Sequence, residues 1–199
     1  MRPAPIICFV DIETDGPTPG IHSMLSLGSA AYTMDGEEVS TFGANLLALD
    51  GSRADPRVEQ WWSTQPEAWA AISCDRQSPV DVMRQFVAWV RQLGDQCLYA
   101  AYPVVFDGAW IDWYLRKFTD ATLCYPFWPN PLFLGTGIVV ATYVQTSLGL
   151  PFTLRRRDYP AEVLSPTLRP HEPISDTRSR AALFFAARKA VRSAETKSP

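Results

Sequence analysis

A chain of 199 residues, 47% hydrophobic and 20% charged, suits one domain or a small pair, and at this length roughly 70% of the unfolded surface can be buried in a sizeable core. A formal net charge of −3 excludes a bulk nucleic-acid coat, which needs an excess of Lys and Arg, but leaves room for an enzyme that grips one or two phosphates through metal ions. No apolar run reaches membrane-spanning length, and the opening of the chain, one Arg and a short apolar run followed by acids, does not read as a secretory signal; a cytoplasmic protein with no membrane partner is expected.

Residues 6–12 form a first strand, apolar on both faces as a central strand is. Its end carries Asp11 and Glu13. Side chains alternate along a strand, so these two carboxylates project together, away from Val10 and Ile12. Adjacent carboxylates repel, and one takes up a proton unless a cation lies between them. Mg²⁺ or Mn²⁺ is the natural cation for an all-oxygen site. A solvated strand end is the alternative. Asp35-Gly36-Glu37 repeats the Asp-x-Glu spacing but reads as a hairpin turn. It joins strands over 24–33 and 38–47 as an antiparallel pair, giving a three-stranded meander after a Gly- and Pro-bearing loop at 15–22.

Short helices over 58–63 and 66–73 carry Trp61, Trp62 and Trp69. Of the first two, one faces inward and one outward. Ser78 as N-cap, Pro79 in the first turn, Val82, Phe86, Val90 and Leu93 at helical spacing, and Gly94 as terminator predict a helix over 79–93. A fourth strand covers 97–102. A helix over 108–118 presents Ile111, Tyr114 and Leu115 on one face, with Asp112 toward solvent. The aromatic, proline-rich segment 120–134 takes no assignment. A helix follows over 138–148, then a loop over 151–173, then a last helix over 175–192 with Leu183, Phe184, Ala187 and Val191 inward. The 17 prolines fall mostly between elements, which favours ordered loops. Residues 1–192 therefore read as a single domain and 193–199 as a loose tail. The expected class is α/β, a mixed sheet with helices on its faces. The four cysteines lack CxxC spacing; Cys8 and Cys97 sit in apolar runs as buried thiols, and neither a zinc site nor a disulfide framework is expected in a reducing compartment.

Two further segments hold acids. Asp107 follows Phe106 where the fourth strand gives way to a helix, a place where such sheets present ligands, and equally a place for an N-cap. Asp176 falls in the first turn of the last helix, where negative charge is favourable in any case. His171 lies in the loop before it, while His22 has no acid at comparable spacing.

Taken in order, Asp11-Ile12-Glu13-Thr14-Asp15-Gly16, Phe106-Asp107 and His171 to Asp176 resemble the three motifs of the DEDDh exonucleases. This branch of the ribonuclease H-like superfamily includes polymerase proofreading subunits, ribonuclease T and oligoribonuclease. Residues 61–68, Trp-Trp-Ser-Thr-Gln-Pro-Glu-Ala, also look like a segment of small bacterial and phage 3′–5′ exonucleases. The resemblance implies a ribonuclease H-like fold: a mixed central sheet, three antiparallel strands plus parallel ones, with helices on both faces. It implies that Asp11, Glu13, Asp107 and Asp176 hold two Mg²⁺ or Mn²⁺ ions and that His171 is the general base. The expected reaction is 3′–5′ hydrolysis of single-stranded DNA or RNA from its 3′ end to nucleoside 5′-monophosphates. Many relatives are homodimers. Two departures bear on substrate positioning: Tyr102 and Pro103 stand where the family often has His-Asn, and Pro173 where a small residue is usual.

Other candidates carry two readings each. Thr14 could offer its backbone to the terminal nucleotide. Phe106, Trp110, Trp61 and Trp62 either stack on bases or belong to the core. Arg155, Arg156 and Arg157 either contact phosphates or form a solvated loop. A binding or scaffold protein without catalysis, and a hydrolase of very short oligonucleotides, are the competing functions. Five intact catalytic residue types speak against the first, and the acidic charge favours the second mildly.

Overall fold

The computed structural model describes residues 4–124, 129–164 and 169–195. The central strand is β1 (Ile6–Thr14), flanked by β2 (Met24–Thr33) on one side and by β4 (Cys97–Ala101) on the other. With β3 (Glu38–Asn45), β5 (Thr122–Cys124) and β6 (Pro131–Val139) the sheet has six strands in the order β3-β2-β1-β4-β6-β5. β1, β2 and β3 are antiparallel neighbours; β4, β6 and β5 continue in parallel. The fold is thus the mixed sheet expected, with helices on both faces.

The alternation of β1 explains the two layers. Cys8, Val10 and Ile12 face a core built with α3 (Pro79–Leu93) and α4 (Val104–Phe118). Ile7 and Phe9 face the other core, under α5 (Val140–Ser147) and α6 (Pro173–Glu195). Each large side chain fully buried in these layers contributes on the order of 1.5–3 kcal/mol. Asp11 and Glu13 follow Phe9 at even spacing and so point to the α6 side.

Local signals hold where they are strong. Asp35 and Gly36 make the hairpin turn, with Gly36 at φ 93°, a conformation open chiefly to glycine. Ser78 Oγ accepts from the backbone N–H of Asp81 at 3.3 Å and Gly94 ends α3. Trp62 of α1 (Pro56–Trp62) is buried and Trp61 is 39% exposed, the expected split; α2 (Pro66–Ser73) follows.

Several boundaries differ. α4 starts at Val104, not at 108: Pro103 is the N-cap residue, where a missing N–H costs nothing, and Gly108 is accommodated mid-helix against Leu123 and Tyr99. Asp112 is only partly turned to solvent. It pairs with Arg116 at 2.6 Å and accepts from the backbone N–H of Leu123 at 2.9 Å, fastening β5. The unassigned segment supplies β5 and β6, with residues 125–128 lying outside the described residues. β6 hides its periodicity because Gly135 and Gly137 carry positive φ and Phe133 alone among its residues is fully buried. α5 consequently begins at 140. β3 stops at Asn45, whose side chain donates to the carbonyls of Ala71 and Cys74 and turns the chain away. α6 runs through Ser193 to Glu195, into the segment read as a tail; residues 196–199 lie outside the described residues. Among the described residues no helix is long and apolar enough to cross a membrane.

Candidate active site

Asp11 and Glu13 on β1 lie opposite Gly28 and Ser26 on β2. Gly28 decides what can sit above them. A Cβ there would meet Pro173 Cβ at 2.5 Å and the Ile174 backbone nitrogen at 2.7 Å. Its missing side chain lets the first turn of α6 rest directly on the strand pair, which carries Asp176 to the two β1 acids. The backbone N–H of His171 donates to Asp176 Oδ2 at 2.8 Å. His171 itself adopts φ 64°, uncommon outside glycine, and this folds its imidazole back toward the sheet. Its Nδ1 lies 3.6 Å from Glu13 Oε1. Glu13, His171 and Asp176 each present a ligand atom, and these atoms all lie within 4.8 Å of one another.

Asp107 enters from α4. It is buried inside the first turn and is not the cap residue, so its carboxyl joins the acid cluster rather than capping the helix end. The structure therefore gathers all five residues of the three motifs at the end of the central strand.

A sixth residue joins them that the sequence reading missed. Arg180, one turn beyond Asp176 on α6, places Nη1 2.5 Å from Asp11 Oδ1 and 3.7 Å from Asp107 Oδ2, and donates to the Val10 carbonyl at 3.2 Å. Its side chain is 14% exposed. A signal was available. Arg180 is spaced by three, four and seven from Leu183, Phe184 and Ala187, so it is a cation on the inward stripe of the helix, four residues after a candidate ligand.

Burial dominates the electrostatics. It pushes Asp11 up to about 6, against the opposing Arg180 guanidinium and with Asp176 adding repulsion. It pushes Glu13 up to about 7, opposed by His171 and helped by Asp11. Asp107 is pushed up to about 8, by burial first and by Asp11 next. The Glu13 carboxylate in turn raises the His171 imidazole above its usual value, against burial. Asp11 Oδ2 and Asp107 Oδ2 are buried and accept no hydrogen bond among the described residues. Clustered acids that resist ionisation, with buried acceptor oxygens left without donors, fit a hard divalent cation.

Aromatic side chains brace the His171 imidazole. The Trp61 ring meets His171 edge-on at 4.7 Å between centroids, and Trp62 lies at 6.3 Å. Trp62 Nε1 donates to the Thr14 carbonyl at 3.0 Å, tying α1 to the end of β1. That carbonyl of Thr14 is therefore already engaged. Phe106 is half-buried against Trp110. Trp110 must be corrected: at 1% exposure it belongs to the α3–α4 core, where no base can reach it. Arg156 bonds Ser179 Oγ on α6, so it fastens its loop, whereas Arg155 and Arg157 are exposed and Arg157 lies 3.8 Å from Asp158. Tyr102 packs at the margin of the α5–α6 core and Pro103 caps α4; neither replaces the family's His-Asn pair chemically. His22 fills the space above Gly16 in its loop.

No family model matches this chain. It is similar to the 3′–5′ DNA exonuclease Cap18 of Escherichia coli, 25% identical over 183 residues that make up 90% of this chain and 89% of that one. Among solved structures it resembles E. coli exonuclease I in complex with a dT13 oligonucleotide, with a TM-score of 0.68 and 11% identity over 96% of this chain and 43% of that chain. It also resembles S. pombe Pop2p in its Mg²⁺- and Mn²⁺-bound form, with a TM-score of 0.68 and 12% identity over 92% of this chain and 82% of that one. The chain thus spans less than half the length of exonuclease I. These solved structures share its fold, the ribonuclease H-like mixed sheet expected from the sequence. The resemblance to 3′–5′ exonucleases read from the three motifs agrees with the relative found along nearly the whole chain.

Proposed function

We propose that this protein is a metal-dependent 3′–5′ exonuclease of the DEDDh type acting on single-stranded nucleic acid. One observation carries the proposal: Asp11, Glu13, Asp107, Asp176 and His171 converge at one strand end, with two buried carboxylate oxygens that accept no hydrogen bond among the described residues. Single-stranded DNA is the proposed substrate, because the 25%-identical relative is a DNA exonuclease and exonuclease I was solved with a deoxyoligonucleotide.

The four carboxylates would hold the divalent ions; as Mg²⁺ or Mn²⁺, two such ions supply Lewis acidity to the attacking and leaving oxygens of an in-line displacement. His171 takes a proton from the attacking water. Its Nδ1 faces Glu13, which leaves Nε2 as the accepting nitrogen. The water oxygen bonds to phosphorus, the bond to the 3′ oxygen of the preceding nucleotide breaks, and that oxygen takes up a proton. The products are a nucleoside 5′-monophosphate and a strand shorter by one nucleotide. Trp61 keeps the imidazole aligned, and Phe106 and the exposed Arg155 and Arg157 are the remaining candidates for contact with the strand.

The test is a 5′-labelled single strand, DNA and RNA in parallel, with Mn²⁺ or EDTA, for wild type, His171→Ala and Asp11→Ala. The expected result is a ladder shortening from the 3′ end that needs the metal, is lost in both variants and is faster on DNA. Absence of cleavage by folded wild type with metal present would sink the reading. A length series of oligonucleotides separates a general exonuclease from a hydrolase of very short ones.

A further inference from the structure

We propose that the groove between the outer faces of α3 and α4 is a track for the phosphate backbone of a single strand whose 3′ end lies at the acid cluster. Long strands then bind more tightly than very short ones. The inference rests on the exonuclease reading given above and adds the length of the substrate to it.

The groove encloses about 630 Å³. Arg84 and Arg91 of α3 line it together with Lys117 of α4, while Val87, Ala88 and the half-buried Phe118 add apolar surface. Its charge runs against that of the chain. The whole sequence has 18 Lys and Arg against 21 Asp and Glu, yet three cations line this groove with one acid, Asp120. Asp120 lies 3.7 Å from Arg91 with both side chains more than half exposed, which makes a weak pair. Arg84 and Lys117 have no carboxylate partner among the described residues. Arg84 and Arg91 are seven residues apart on one helix face, about 10 Å along its axis, which spans about three steps of a stacked strand at about 3.4 Å each.

The groove also connects to the acids. Lys117 stands ten residues beyond Asp107 on the same helix, about 15 Å along its axis. Between them, Trp113 packs against the loop that leaves β1: a Cβ on Gly20 would meet its Cζ2 at 2.6 Å. Lys117 Nζ lies 4.9 Å from the centroid of the same indole and 5.8 Å from that of Phe118. Loop, indole and ammonium therefore stand in contact from the strand end to the groove. Cations interleaved with aromatic rings suit a single strand, whose phosphates pair with the cations while its bases stack, better than an acidic peptide, which offers charge alone.

The experiment compares KM and kcat on 5′-labelled DNA strands of about 3 and about 20 nucleotides in Mn²⁺, lengths that fall short of the groove and overrun it. Wild type is expected to show a KM on the longer strand at least about tenfold below that on the shorter. Arg84→Glu combined with Arg91→Glu should raise KM on the longer strand about tenfold and leave kcat and the shorter strand unchanged. Its dependence of log kcat/KM on log salt should be less steep by about 1.4, for two lost phosphate contacts. Lys117→Glu should act in the same direction and decides the matter should the paired variant not fold. Lys189→Glu with Arg192→Glu makes the same change of charge near the end of α6 and should leave both strands unchanged. Equal KM for the two lengths in wild type, no rise in the groove variants, or an equal rise in the α6 variant would each overturn the track while leaving the exonuclease standing. A labelled poly-glutamate peptide that binds wild type and not the groove variants, with strand KM unchanged, would overturn it in favour of an acidic protein partner. No cleavage of either length by wild type would overturn both readings.

Discussion

The indole of Trp61 stands edge-on to the imidazole of His171, ring centroids 4.7 Å apart and planes at 89°. Its neighbour Trp62 is pinned to the Thr14 carbonyl, so the contact is fixed from the end of the acid-bearing strand. Edge-to-face aromatic pairs contribute on the order of 0.5–1.5 kcal/mol, too little to hold the fold but enough to hold one ring. Trp61→Ala is expected to leave the melting temperature nearly unchanged and to lower kcat roughly ten- to a hundredfold, the size of effect that a small misplacement produces. Trp61→Phe should recover most of the loss. Single-turnover rates and a melting curve on the same samples decide it.

Asp107→Asn separates chemistry from stability. The buried carboxyl is pushed up to about 8, so the fold favours its neutral form, which the amide mimics. In EDTA near pH 8 the variant should melt higher than wild type. In Mn²⁺ its nuclease rate should fall by at least about a hundredfold, since a proposed site ligand is gone. A variant that melts lower in EDTA would contradict the burial argument.

Stability without metal should fall as pH rises. Asp11, Glu13 and Asp107 sit at about 6, 7 and 8 in the fold, against ordinary values of 3.8, 4.5 and 3.8. Between the unfolded and folded values the native state binds more protons than the unfolded chain, so the stabilisation is complete below the unfolded values and is lost through the folded ones. In EDTA the melting temperature should therefore decline from about pH 5 to about pH 8. Mn²⁺ should flatten or reverse that slope, because the ion binds the deprotonated ligands. A melting temperature that climbs with pH in EDTA would refute this account.

Gly28→Ala should damage the site more than its size suggests. The new methyl would meet backbone, Pro173 carbonyl carbon at 2.6 Å and Ile174 nitrogen at 2.7 Å, so the start of α6 must lift. A cost of roughly 1–3 kcal/mol is expected from the overpacking, together with about a hundredfold loss of rate as Asp176, His171 and Arg180 move off the β1 acids. Gly43→Ala is the comparison. It meets only the Ile174 side chain, at 2.5 and 3.1 Å, which can rotate away. It should therefore cost less in both measurements.

Features set within a few residues were legible in the amino-acid order alone. The shared face of Asp11 and Glu13 follows from the strand period. The α3 boundaries follow from Ser78, Pro79 and Gly94, and the meander from the Asp35-Gly36 turn. The motif order also singled out the five residues that the fold gathers at the strand end, although whether Asp107 was a cap or a member of that cluster stayed open. The rest depended on contacts between segments distant in the chain. Residues 120–134 showed no period because the strands they contain are short or little buried: β5 pairs only with β6, and β6 joins the sheet through β4. Trp110 reads as a stacking candidate until the α3–α4 core is seen to enclose it. Arg180 reaches the Val10 carbonyl across 170 residues, and the glycine that lets its helix approach lies on yet another strand. Periodicity and capping are properties of neighbours along the chain. A buried ion pair exists only where folding brings distant residues together and removes the water that would otherwise solvate both.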